Sequence, residues 1–156
     1  MMVALLVWFG QDLLQVLFMG FLLVPGFFLL LMLFRTAAGI ARSQNITWCV
    51  WQGFIGGVIW DFRWTGLPGL SAVLNTLAIA FMAWIWWRSP ATGRTPLLFA
   101  ITAGGAHFLV GFVHYLTWDV SSSTALRLFS IQQLLMLPLL ILFYIFYAWK
   151  VSDTHV

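Results

Sequence analysis

The chain has 156 residues, of which 63% are hydrophobic and 7% charged, and its mean hydropathy is +1.01. Soluble domains carry roughly 25% charged residues, so this composition excludes a domain that lives in water. Seven basic and four acidic residues, thinly scattered, exclude a nucleic-acid surface, and the single Cys49 excludes an internal disulfide and a multi-cysteine metal site.

Unbroken apolar runs predict membrane helices, since about 20 apolar residues cross a hydrocarbon core of about 30 Å. Strands of a membrane barrel would alternate polar and apolar residues instead. The expectation is an all-α integral membrane protein, one polytopic domain with six transmembrane helices. Residues 1–34 are apolar apart from Gly10, Gln11, Asp12, Gln15, Gly20, Pro25 and Gly26. As one helix this stretch would measure about 51 Å at 1.5 Å per residue, too long for a single crossing. It therefore divides near Gly20 to Pro25, into helices at about 2–19 and 25–41. Pro25 suits a first helical turn, where its missing N–H costs little. No basic segment precedes the first run and no small-residue cleavage site follows it, so it is expected to stay as a helix. The remaining helices are predicted at about 46–61, 67–87, 96–118 and 124–149. Between them lie Ser43-Gln44-Asn45, Arg63-Trp64-Thr65-Gly66, the segment Ser89 to Arg94, and Ser121-Ser122-Ser123. Each is rich in residues that end helices.

With the N-terminus inside, cytoplasmic segments hold Arg35, Arg42, Arg88, Arg94 and Lys150, against Arg63 and Arg127 outside. The positive-inside rule then places both termini in the cytoplasm. The tryptophans agree: Trp48, Trp51, Trp84, Trp86, Trp87 and Trp149 lie near inner ends, and Trp60, Trp64 and Trp118 near outer ends. Indole rings favour the membrane interface. Trp8 falls outside this pattern.

Polar groups within a bilayer are costly unless paired or wet, so they mark protein-facing sides. Gly53, Gly57 and Asp61 are spaced four apart and share one helical stripe. The two glycines form a GxxxG step that admits a close neighbour. Helix packing with an interfacial Asp61 is the favoured reading, and a ligand or ion site the other. Gly104, His107, Gly111 and His114 make a second stripe on the fifth helix. Asp61 and His114, with Arg127, are expected to form a polar cluster near the outer face. For each histidine a hydrogen-bonded structural role is favoured over a ligand role, and no metal, cofactor or catalytic group is expected. Asp12 lies mid-helix with Gln11 and Gln15, so it is expected to be paired, protonated or facing another protein, and because no basic residue has an obviously matching depth, a partner-facing role is considered for it. Asn75, Gln132 and Gln133 are expected to hydrogen-bond between helices, and Pro138 to kink the sixth helix.

Residues Pro25 to Leu31 open an apolar helix, and Gly53-Phe54-Ile55-Gly56-Gly57-Val58-Ile59-Trp60-Asp61 follows, with Gly69 eight residues beyond Asp61. This pattern, G-F-x-x-G-x-x-x-D-x(7)-G after a proline-led helix, resembles MreD, the bacterial rod-shape-determining membrane protein family. The detailed likeness covers residues 25 to 80. The linker between the first two helices is shorter and less polar than is usual in that family, and residues 81 to 156 carry no shared motif. The resemblance implies the fold of the substrate-binding subunits of energy-coupling-factor transporters. It also implies a non-enzymatic scaffold of the cell-elongation machinery in the bacterial inner membrane. Its partners would be MreC, RodA with its class B penicillin-binding transpeptidase, and indirectly MreB. Under this reading Gly53, Gly57, Asp61, Gly69, Asp12, His107, Gly111 and His114 serve helix packing or partner contact.

The alternative is a substrate-binding subunit of a vitamin-type transporter, with a cavity lined by Asp61, Trp64, His114, Trp118 and Arg127. An enzyme is disfavoured, because no nucleophile and base are paired in the sequence.

Overall fold

The structure is a computed structural model and describes residues 2–18, 24–42, 44–65, 67–117 and 122–152. Those residues contain six α-helices and no strands: α1 (Met2–Leu17), α2 (Phe27–Ala41), α3 (Thr47–Trp60), α4 (Leu70–Arg88), α5 (Pro96–Thr117) and α6 (Ser122–Ser152). Each lies within three residues of a predicted range. Helices α4, α5 and α6 are long and apolar enough to cross a membrane. Helices α1 and α2 are apolar but shorter, at 16 and 15 residues. Gly20, Ser43, Gly66, Trp118, Asp119 and Ser121 lie outside the described residues.

Two boundaries differ informatively from the prediction. Pro25 and Gly26 precede α2 rather than opening it. The reason lies in α1: Gln11 Oε1 accepts the Phe28 N–H at 2.9 Å, and Gln15 Oε1 accepts the Val24 N–H at 2.9 Å. Free donors at a helix start need such partners. The other difference is at Asp61. The helical rod of α3 does not stop there but widens into a π-helical turn, Asp61–Thr65.

Helix α2 is the hub, touching each of the other five helices. Nine of its 15 residues are buried, which accounts for its apolar surface on several sides. Leu30, Met32 and Leu33 are fully enclosed. At the end carrying Arg88 and Arg94, an aromatic cluster joins α2, α4, α5 and α6. Phe99 and Tyr147 stack at 5.0 Å, and Trp86 packs edge-on against Tyr147 and donates its indole N–H to the Tyr147 hydroxyl at 3.0 Å. That bond satisfies two polar groups that burial would otherwise penalise. Arg94 closes the same end by donating to the Trp86 and Ser89 carbonyls. Helix α6 continues as an α-helix on both sides of Pro138.

Helix α4 begins after Gly69, whose φ of +92° lies in the left-handed region. A Cβ there meets nothing within 4 Å, so substitution is penalised by backbone conformation alone. Gly69→Ala is expected to cost about 1–2 kcal/mol, and Gly69→Asn less. Thermal unfolding in detergent, followed by tryptophan fluorescence, reads the difference.

Candidate functional site

The Gly53–Gly57–Asp61 stripe faces α4. A Cβ on Gly57 would lie 2.5 Å from both the backbone N and the Cα of Ala72. A Cβ on Gly53 would run into the terminal methyl of Ile79. The two helices therefore pack nearly backbone to backbone, which only glycine allows. The neighbouring Gly56 serves the opposite side. Its carbonyl accepts the Trp8 indole N–H at 3.1 Å, and its open face receives the Phe28 ring. Trp8, which did not fit the interfacial pattern, is thus a buried link from α1 to α3.

At the end of that stripe Asp61 is fully buried. Its carboxylate accepts the Ser71 N–H through both oxygens, at 3.0 and 2.9 Å, and the Ala72 N–H at 3.3 Å. The Thr65 hydroxyl adds a donor at 2.9 Å. An anion at a helix N-terminus meets free N–H groups and the positive end of the helix dipole. Asp61 is therefore spent on fixing the start of α4.

Ser71 extends the cluster. Its Oγ lies 3.2 Å from His114 Nε2, in a hydrogen bond whose direction follows the imidazole tautomer. Asp61 and His114 belong to one network, joined by a serine that the sequence did not single out. Arg127 is exposed and no described polar contact joins it to them, so Ser71 rather than Arg127 is the third member of the cluster.

Of the options for Asp12, the structure shows pairing, with a basic residue whose depth the sequence did not reveal. Asp12 is largely buried. Arg63 Nε lies 2.8 Å from Asp12 Oδ1, and the Trp64 indole N–H donates to the same oxygen at 2.8 Å. The π-helical turn explains why this pairing was missed. It carries the chain one further turn past Asp61 and brings Arg63 and Trp64 back over α1. Widened turns of this kind are frequent at functional sites. Arg63 is half exposed, so the indole bond contributes most of the latch. Asp12→Ala is expected to speed amide exchange in residues 61–65 about tenfold, the equivalent of 1.4 kcal/mol of local opening. Hydrogen exchange with mass spectrometry measures it.

Behind this latch lies a cavity of about 220 Å³ to whose lining all six helices contribute. Trp8, Trp60 and Trp64 give the lining aromatic rings, and Gln11, Gln15 and Asn75 give it carboxamides. Ser71, His107 and His114 also border it. The predicted transporter cavity shares only Trp64 and His114 with it. Asp61 lies behind its wall, and Trp118 lies outside the described residues. His107 Nε2 accepts the Gly26 N–H at 3.0 Å, tying α5 to the start of α2. Gly111 clears space for α6, where a Cβ would meet the Gln133 amide nitrogen at 2.8 Å. Gln132 Nε2 donates to the Val24 carbonyl at 3.4 Å, whereas Asn75 makes no described protein hydrogen bond. Among the described residues no group of three His, Cys, Asp or Glu is placed to hold a metal ion. The chain matches no family model, no curated protein and no solved structure.

Proposed function

We propose that this chain is a membrane scaffold of the bacterial cell-elongation machinery, as its likeness to the MreD family implies. One observation carries the reading. The residues that make up that likeness, Gly53, Gly57, Asp61 and Gly69, converge on a single joint between α3 and α4. Asp61 there holds backbone donors, and the glycines hold a helix crossing. A motif spent on rigidity suits a protein that works by position.

In this reading all six helices lie in the inner membrane, with both termini cytoplasmic. The apolar outer surfaces meet lipid or partner helices. MreC, and RodA with its class B penicillin-binding transpeptidase, dock on those surfaces, and MreB is reached indirectly. Catalysis belongs to the partners.

The test is depletion in a rod-shaped host that has no second copy, combined with affinity purification from its membranes. Rounded cells and recovery of a single-pass coiled-coil partner are expected. Cells that stay rod-shaped, with no such partner recovered, overturn the reading. The polar cavity favours the transporter-subunit alternative. Recovery of an energy-coupling ATPase in the same purification decides for it.

A further inference from the structure

Among the described residues the cavity lining contains no Lys, Arg, Asp or Glu side chain. A charged occupant would lose its hydration with no opposite charge to replace it. The occupant that fits is uncharged. The polar lining is also directional. Gln11 and Gln15 both use their Oε1 on backbone N–H groups, which leaves their NH2 groups as donors at the cavity. Asn75 adds a carboxamide with no described protein partner, able to donate and accept. The wall thus favours an occupant that presents a carbonyl acceptor. Gln132 Oε1, on the same wall, is buried and unpaired among the described groups, and such an atom is uncommon unless something further satisfies it.

The aromatic lining sets the shape. The Trp60 and Trp64 rings lie 5.9 Å apart at 37°, and Trp8 meets Trp60 edge-on at 6.5 Å. Aromatic walls favour flat partners. A cavity of roughly 150 Å³ holds benzene, so about 220 Å³ suits two fused rings.

We propose that this cavity binds an uncharged, planar, two-ring molecule bearing a carbonyl group. Gln11, Gln15 and Asn75 hold the polar edge, and Trp60 and Trp64 cover the rings. Asp12, by holding Trp64, keeps the cover in place. The inference rests on the cavity and not on the scaffold reading, and either survives failure of the other.

The test uses the full chain in nanodiscs of phosphatidylethanolamine and phosphatidylglycerol, titrated calorimetrically with 2-quinolone. Saturable one-to-one binding is expected, with a dissociation constant on the order of 100 µM for a ligand of this size. Naphthalene, of the same outline without the carbonyl, is expected to bind at least about tenfold more weakly, because the wall donors stay unpaired. Asn75→Leu is expected to weaken 2-quinolone binding about tenfold without lowering the melting temperature, since it removes no described protein hydrogen bond. Gln11→Leu also removes an α2 contact, so Asn75→Leu is the deciding variant. Absence of saturable binding, equal binding of naphthalene as in a lipid crevice, or unchanged affinity in Asn75→Leu each overturns the proposal.

Discussion

Gly57→Ala is expected to lower unfolding free energy by about 3 kcal/mol, at the upper end for an overpacked site. The added methyl would stand 2.5 Å from the Ala72 backbone. Backbone within a helix cannot swing aside, so α3 and α4 must separate along the whole crossing. Two other glycines calibrate the effect. Gly53→Ala meets a terminal methyl of Ile79, which can rotate, so a loss of about 1 kcal/mol is expected. Gly105→Ala meets nothing within 4 Å and gains helix propensity, so it is expected to be neutral or slightly stabilising, by up to about 1 kcal/mol. Denaturant unfolding in mixed micelles, read by tryptophan fluorescence, gives the order. Equal losses at Gly57 and Gly105 would contradict the close crossing.

Asp61→Ala is expected to cost about 4 kcal/mol. It leaves the Ser71 and Ala72 N–H groups without their acceptor and the Thr65 hydroxyl with only the Asp61 carbonyl, and hydrogen bonds to a charged group contribute roughly 1.5–3 kcal/mol each. Asp61→Asn keeps one oxygen but turns an NH2 toward N–H donors, so a loss of about 2 kcal/mol is expected. The same unfolding assay separates the two variants. Because Gly57 and Asp61 hold one joint, the double variant Gly57→Ala/Asp61→Ala should lose less than the two single losses combined. Full additivity would show that the crossing and the carboxylate act independently.

Hydropathy and helix breakers were enough to locate the helices, because apolar runs and Gly, Pro and Ser clusters act locally. The Gly53–Gly57–Asp61 stripe was legible for the same reason: spacing by four fixes a face. The partners of that face were not legible. Ser71 joins Asp61 to His114 only after Gly69 turns the chain. Arg63 reaches Asp12 only because α3 widens at Asp61, and no pattern in residues 61–65 announced a π-helical turn. Gln11 and Gln15 were grouped correctly with Asp12 as a polar face, but their task, receiving the first N–H groups near α2, needed the three-dimensional arrangement. The cavity was the least legible feature, since an unfilled space is set by what six helices fail to occupy.

The two buried carboxylates differ in how long each waits for its partners during synthesis. Asp61 finds donors 10 and 11 residues downstream, so one emerging hairpin carries both the charge and its shelter. Asp12 is joined to Trp64, 52 residues later. Under the six-span reading, the first segment must linger beside the insertion machinery, its carboxylate unsheltered, until the third has been made. Biogenesis should therefore be most fragile at the earliest step, where a premature release would strand a charge in oil.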